Sequence, residues 1–130
     1  MERPVAVVMA DERDCLALCA LLQRRDYRAM PLHSVMSLER EIQRSGYQVV
    51  ILDLDSLPVS NRLVRDLKKM NPGVRIIGLS SRPFHPELKE AISNYMFACI
   101  SKPLDEDELV YYLKSIYGEG DSTANEGLLT

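Results

Sequence analysis

The chain has 130 residues, of which 46% are hydrophobic and 27% charged, and its formal net charge is −3. This length suits one compact domain that buries about two-thirds of the surface of its unfolded chain. The mild negative charge provides no basic surface for nucleic acid or for an anionic membrane. No apolar run approaches the roughly 20 residues of a transmembrane helix, and the N-terminus lacks the apolar run of a signal peptide. We therefore expect a cytoplasmic, single-domain protein.

The cysteines and histidines form no metal-binding or disulfide pattern. Cys15, Cys19 and Cys99 have neither zinc-ligand nor disulfide-framework spacing, which favours three reduced thiols. Cys15 and Cys19 stand one helical turn apart and are expected to serve packing. His33 and His85 are interpreted as structural residues in loop or strand-end positions.

Apolar runs and helical patterns alternate along the chain. Short continuous apolar runs are typical of strands that are buried on both faces. They predict five strands, at Val5–Ala10, Arg28–His33, Gln48–Asp53, Val74–Ser80 and Ala98–Ser101.

Helical patterns separate these strands, since apolar residues recur there at spacings of three and four. Ser37 is a candidate N-cap for the second helix, Pro86 suits the first position of the fourth, and Asp105 with Glu108 has capping-box-like spacing. The five predicted helices are Asp14–Arg25, Leu38–Ser45, Arg62–Met70, Pro86–Asn94 and a last one from Asp105 to just before Gly118.

The alternation of strands and helices predicts an α/β fold. Parallel strands with right-handed crossovers form a doubly wound sheet. Pro31 removes a ladder donor, so the second strand should lie at a sheet edge. This agrees with a flavodoxin-like five-stranded parallel sheet of order 2-1-3-4-5, with five helices. We expect one domain over residues 1–118 and a flexible C-terminal tail over residues 119–130, with no room for a second domain.

Polar side chains follow four of the predicted strands. In open α/β sheets, the carboxyl ends of the strands form the site where the strand order switches. The side chains that this places together are Asp11 and Glu12, Asp53 and Asp55, Ser80 and Ser81, and Lys102. Carboxylates suit a hard cation such as Mg²⁺, whereas an amine and a hydroxyl suit the oxygens of a transferring phosphoryl group. Asp53 could then act as a nucleophile that forms an aspartyl phosphate.

Each of these residues also has an ordinary structural interpretation. Asp11 alone is more often a helix N-cap, Ser80 a turn residue, and Lys102 a solvated charge, while Asp55 could cap a loop. The convergence of four segments at one edge of the sheet favours a functional site.

With these motifs in order, the chain resembles the receiver domain of two-component response regulators over Pro4–Tyr117. The resemblance rests on the acid at Asp11, on "VVILD" with Asp53, on "IIGLS" with Ser80, and on "ISKP" with Lys102. It implies a module, rather than a dedicated enzyme, that accepts a phosphoryl group on Asp53 from a histidine kinase or phosphotransfer protein.

The same resemblance implies roles for the other site residues. Mg²⁺ would be held by Asp11, Asp53 and the backbone carbonyl of Asp55, with Glu12 as an additional acid. Ser80 and Lys102 would bind the phosphoryl group. Output would pass through the fourth helix, fifth strand and fifth helix to a downstream protein or a second copy. On the last helix, Tyr111, Tyr112 and Lys114 are candidates for this surface, although one core and one solvated tyrosine is an equally good interpretation.

The sequence departs from the family pattern at several positions. Ala10 stands where receivers usually carry the first of two acids, and Cys99 replaces the aromatic residue three positions before the lysine. Tyr95 replaces a common glycine, and Pro58 comes one residue later than usual. The missing acid leaves a pseudo-receiver, a binding module that is never phosphorylated, as an alternative.

A phosphatase is the second alternative. "DLDS" from Asp53 also resembles the first motif of haloacid-dehalogenase-like phosphatases, but that nucleophile belongs on the first strand and not on the third.

Two local predictions concern the rim of the site. The Lys102–Pro103 bond is expected to be cis, because a cis X-Pro bond is used where a tight turn must aim a side chain. We also expect the side chain of Asp55 either to replace in part the acid that is missing at Ala10, or to pair with Arg82 as a gate that controls the access of water.

Overall fold

The computed structural model describes residues 3–118, and within them five strands form one parallel sheet. The strands are Pro4–Val8 (β1), Arg28–Leu32 (β2), Val49–Asp53 (β3), Arg75–Ser80 (β4) and Met96–Ser101 (β5). Their order is β2-β1-β3-β4-β5, which confirms the predicted flavodoxin-like sheet. Pro31 lies in β2 at the edge of the sheet, as expected from its missing N–H donor. The predicted tail, residues 119–130, lies outside the described residues.

The helices alternate with the strands along the chain. They are Glu12–Arg24 (α1), Val35–Ser45 (α2), Asn61–Met70 (α3), Lys89–Asn94 (α4) and Glu106–Tyr117 (α5), and a 3-10 turn over Pro86–Leu88 precedes α4. The predicted N-cap at Ser37 is wrong. Ser34 caps α2, because its extended backbone lets its hydroxyl oxygen accept the N–H of Ser37 at 3.1 Å. The helix therefore begins three residues earlier than predicted.

The end of β1 and the start of β5 each differ from the prediction by two residues. β1 ends at Val8, so Met9, Ala10 and Asp11 form the turn into α1. β5 begins at Met96, because Ile76 of β4 pairs with it across an irregularity in the register. The first difference matters for the site, since it moves Asp11 from a strand end to a helix cap.

The core consists of two apolar layers, one on each face of the sheet. Successive strand residues point to opposite faces, so β1 sends Ala6 and Val8 to one layer and Val5 and Val7 to the other. The first layer packs against α2, α3 and α4, and the second against α1 and α5. All of β3 is buried between the two layers. This packing holds the carboxyl ends of the central strands together at one edge of the sheet.

The thiols behave as the spacing predicts. Cys15 and Cys19 are buried in the layer beneath α1, and burial raises the pKa of the Cys19 thiol to about 12. All three cysteines, including the exposed Cys99, are free. Over residues 3–118, the structure contains no helix with the length and apolar character that crossing a membrane requires.

Candidate functional site

Asp53 is the last residue of β3 and lies at the centre of the candidate site. Only 3% of its surface is exposed, because β1 and β4 flank β3 and the two core layers cover its faces. An ionised carboxylate at such a position needs charged or hydrogen-bonding partners. Both of its oxygens have them.

Lys102 supplies the positive charge. Its Nζ lies 2.7 Å from Oδ1 of Asp53 and 2.9 Å from Oδ2 of Asp55. Burial alone would lower the pKa of Lys102, but the two carboxylates outweigh it and raise that pKa. The ammonium group therefore joins the two aspartates that the sequence places one residue apart. The Lys102–Pro103 peptide bond that follows is cis, as predicted.

The side chain of Asp55 is tied into the site on two sides. Besides Lys102, it accepts the backbone N–H of Ser81 at 3.0 Å. Burial acts to raise the pKa of Asp55, but these hydrogen bonds outweigh it and hold the pKa below its usual value. Asp55 thus connects the loop after β3 to the loop after β4.

Arg82 does not take part in this arrangement. Its guanidinium pairs with Glu87, with Nη1 3.1 Å from Oε2, and donates to the carbonyl of Phe84. The predicted pairing of Asp55 with Arg82 is wrong in this structure. The reason is local: Glu87 lies five residues ahead in the same loop, whereas Lys102 already satisfies Asp55.

Ser56 is a site residue that the sequence analysis missed. Its hydroxyl donates to Oδ2 of Asp53 at 2.6 Å and accepts the backbone N–H of Ala10 at 3.1 Å. The available signal was its position three residues after a strand-end aspartate, where a hydroxyl can fold back onto the carboxylate.

Ser80, the last residue of β4, is buried beside a second missed residue. Its Oγ accepts the N–H of Arg82 at 2.9 Å and contacts Nε2 of His85. The side chain of His85 is only 3% exposed, and among the described residues its Nδ1 has no hydrogen-bond partner. Nothing in the sequence marked this histidine, because its burial follows from the course of the loop after β4. The loop therefore sets the environment of the Ser80 hydroxyl.

Asp11 and Glu12 point to other partners. Asp11 is the N-cap of α1 and accepts the N–H of Asp14 at 2.9 Å. Glu12 begins the helix, and its carboxylate lies 4.0 Å from Nε2 of His33. The structure thus gives Asp11 the helix-capping role that the sequence left open.

These residues permit a magnesium site with few protein ligands. The family resemblance assigns the oxygen donors to the carboxylates of Asp11 and Asp53 and to the carbonyl of Asp55, since Ala10 contributes none. Among residues 3–118, no group of three or more His, Cys, Asp or Glu side chains could hold a metal ion. Mg²⁺ commonly takes one or two protein carboxylates and keeps water or phosphate oxygens in its other positions. Two carboxylates and one carbonyl match that pattern in number and in chemistry, and in this structure Asp11 is engaged as the cap of α1.

The sequence matches the response regulator receiver domain family over residues 6–114. The chain belongs to this family. The resemblance that its strand-end motifs indicated is therefore confirmed, and the chain is a receiver domain of the kind found in two-component response regulators. Receiver domains are generally signalling modules rather than dedicated enzymes. No curated protein matches the sequence.

Solved structures with the same fold include several receiver domains. One from Methanospirillum hungatei JF-1 has a TM-score of 0.82 and 14% identity, with 95% of this chain and 99% of that chain covered. The receiver domain of a sensor histidine kinase from Pseudomonas aeruginosa PAO1, which has a magnesium ion in its active-site cleft, has a TM-score of 0.77 and 20% identity, with 92% and 100% covered. The BeF3-activated DrrB receiver domain has a TM-score of 0.77 and 19% identity, again with 92% of this chain and 100% of that chain covered.

The receiver family decides against the phosphatase alternative. In this fold Asp53 ends the third strand, at the centre of a sheet of order 2-1-3-4-5. The haloacid-dehalogenase-like pattern requires its nucleophile on the first strand.

Proposed function

We propose that this receiver domain accepts a phosphoryl group on Asp53 from the phosphohistidine of a histidine kinase or phosphotransfer protein, and then signals through a partner surface. One observation carries the proposal: the buried carboxylate at the end of the central strand has the Lys102 ammonium 2.7 Å away. Asp53 also ends β3 beside the switch in strand order between β1 and β3, which is where open α/β sheets bind their ligands.

The chemistry is a transfer between two nucleophiles. An oxygen of the Asp53 carboxylate forms a bond to phosphorus while the nitrogen–phosphorus bond of the donor breaks, and the imidazole leaves with the electron pair. The transferred group is anionic, so the cation of Lys102 stabilises it. Asp55 keeps Lys102 in place, because it remains a partner when Asp53 becomes an acyl phosphate.

Mg²⁺ and Ser80 complete the proposed phosphoryl site. Asp11, Asp53 and the carbonyl of Asp55 would hold Mg²⁺, which when bound neutralises charge on the phosphoryl oxygens. The hydroxyl of Ser80 would donate to one of those oxygens after leaving its contact with His85.

The experiment is intact-mass analysis after treatment with acetyl phosphate and Mg²⁺. The wild type should gain one phosphoryl group, Asp53→Asn should gain none, and Asp55→Asn should still be labelled. A wild-type chain that binds neither phosphoryl nor beryllofluoride would instead identify a pseudo-receiver. Stoichiometric labelling of Asp53→Asn would show that the acceptor is another residue.

An aromatic patch formed by Phe97, Tyr111 and Tyr112 supports the output part of the proposal. Tyr111 is 66% exposed and Phe97 41% exposed. Tyr112 packs edge-on against Phe97, with ring centroids 6.1 Å apart, and contacts Tyr111 at 5.5 Å. Exposed aromatic groups of this kind are favoured at protein interfaces. We assign this patch, with Lys114 on the same helix, to binding of a downstream protein or a second copy in the cytoplasm.

A further inference from the structure

The hydroxyl of Ser56 is fixed in direction by its two neighbours. A backbone N–H can only donate, so the bond from Ala10 uses a lone pair of Ser56 Oγ. A serine hydroxyl has one proton, and here the 2.6 Å contact directs it to Oδ2 of Asp53. Such a bond to an ionised acceptor is stronger than one between neutral groups.

The two oxygens of Asp53 are consequently held by different groups. Oδ1 accepts from Lys102 at 2.7 Å and from the N–H of Asp55 at 3.3 Å, whereas Oδ2 accepts from Ser56. These three donors on two oxygens fix the rotation of the carboxylate about the Cβ–Cγ bond of Asp53. A nucleophile held in one orientation reacts faster than one that samples several.

Ser56 lies in the loop after β3, and its hydroxyl bonds to the backbone of Ala10 in the turn after β1. The methyl side chain of Ala10 leaves the space between the two loops without a carboxylate, and the Ser56 hydroxyl connects the Ala10 backbone to Asp53 there. The ordinary alternative is that Ser56 only closes the turn after β3. That alternative predicts an effect on folding and none on the reactivity of Asp53.

We infer that Ser56 is a positioning residue for the phosphoacceptor, and that it orients Asp53 from the side where this chain has no acid at Ala10. The inference rests on the proposed phosphorylation of Asp53. In this role, the hydroxyl of Ser56 holds Oδ2 of Asp53 in one orientation before the phosphoryl group arrives.

The test compares Ser56→Ala, Ser56→Thr and Ser60→Ala in the full chain. Ser60 is a matched control, because its hydroxyl caps α3 by accepting the N–H of Leu63 at 3.1 Å and has no contact with Asp53 among the hydrogen bonds described. The readouts are the rate of phosphorylation by acetyl phosphate at saturating Mg²⁺, the Mg²⁺ concentration for half-maximal rate, and the NMR shift of the Asp53 carboxyl carbon without phosphodonor.

Ser56→Ala should slow phosphorylation about tenfold, as expected for loss of a hydrogen bond to a charged group, and should move the Asp53 carbon signal. Ser56→Thr should restore most of the rate. Ser60→Ala should lower stability but leave the rate and the carbon signal unchanged.

The outcomes separate this inference from the proposed function. An unchanged or faster rate in folded Ser56→Ala, with the wild type labelled normally, overturns the positioning role. If the wild type is never labelled, phosphorylation fails as a function, and an unmoved Asp53 carbon signal in Ser56→Ala then overturns the positioning role as well.

Discussion

The imidazole of His85 lies directly against the hydroxyl of Ser80, at the end of the strand beside Asp53. Ser80 has a single hydroxyl proton. The hydroxyl also lies 3.2 Å from the carbonyl oxygen of Arg82, to which it can donate. If Ser80 instead donates its proton to Nε2 of His85, then His85 and a phosphoryl group on Asp53 compete for that proton. The loop between β4 and α4 is therefore in direct contact with a group that phosphorylation should reorient.

This contact predicts that His85→Leu binds beryllofluoride more tightly than the wild type. Leucine fills much of the same space but cannot compete for the Ser80 proton, so affinity should rise about fivefold, which corresponds to roughly 1 kcal/mol for one hydrogen bond. Stability should change little, because the substitution also removes a buried Nδ1 that has no hydrogen-bond partner among the described residues and lies 3.6 Å from Oε2 of Glu87. The measurement is a beryllofluoride titration followed by NMR.

Ser80→Ala provides the control for His85. In that background His85→Leu should change the affinity by less than about twofold, since the contested proton is gone. An equal gain with and without Ser80 would show that His85 acts through packing alone.

A second prediction concerns acid stability. The pKa of Asp55 is lowered in the folded state, so its carboxylate stabilises the fold above its ordinary pKa of 3.8, and this contribution is lost as the pH falls through the folded pKa. Asp55→Asn should therefore cost about 1 kcal/mol at neutral pH, and the difference from the wild type should shrink as the pH falls below 3.8 and through the lowered folded-state pKa. Urea unfolding across this range measures it.

The same Asp55→Asn variant tests the two roles that the sequence suggested for this side chain. Weaker Mg²⁺ affinity would identify it as a compensating acid. Faster dephosphorylation at unchanged Mg²⁺ affinity is the result we expect, because Asp55 holds Lys102 and the N–H of Ser81 over the site. If neither quantity moves, its acidity has no role in the phosphoryl chemistry.

The third prediction is that Ala10→Asp strengthens Mg²⁺ binding. An added carboxylate beside Asp53 increases both the charge and the number of oxygen donors, and we expect roughly a tenfold gain in affinity. Without Mg²⁺ the variant should be less stable than the wild type, because like charges repel. Calorimetric titration with Mg²⁺ measures the first effect and thermal unfolding the second.

Ala10→Asn is the matched control for this substitution. It has a similar shape and adds no charge, so it should change Mg²⁺ affinity far less. Equal affinity in all three proteins would contradict a metal site at this edge of the sheet.

The last prediction separates the two tyrosines of α5. Tyr111→Ala should leave stability within about 0.5 kcal/mol of the wild type because the side chain is exposed. Tyr112→Ala should cost more, since the ring packs on the core and on Phe97. In the double variant, light scattering and partner titration should show weaker association. Unchanged association in folded protein would remove the aromatic patch as the output surface.

The sequence by itself determined the architecture. Alternating buried runs and amphipathic segments permit few arrangements other than a doubly wound sheet, and the proline in the second strand identified the edge. The strand-end positions of Asp53 and Lys102 were readable for the same reason, since the carboxyl ends of parallel strands meet at one edge. The caps were harder to predict, because each of several serines near a helix start can accept an N–H group two or three residues ahead of it. Ser34, rather than Ser37, is the N-cap of α2.

Only the tertiary structure decided which hydrogen-bond and ion-pair partners the site residues have. Hydrogen bonds depend on distances of a few tenths of an ångström between loops that are remote in sequence. The bonds from Ser56 to Ala10, and from His85 to Ser80, therefore have no periodic signal in the chain. Asp55 pairs with Lys102 rather than with Arg82, because folding brings Nζ of Lys102 to 2.9 Å from its Oδ2. The guanidinium of Arg82 is paired with Glu87 instead. A hydrophobic pattern averages over many residues and fixes a fold, whereas each polar contact is settled by the packed backbone that positions its two atoms.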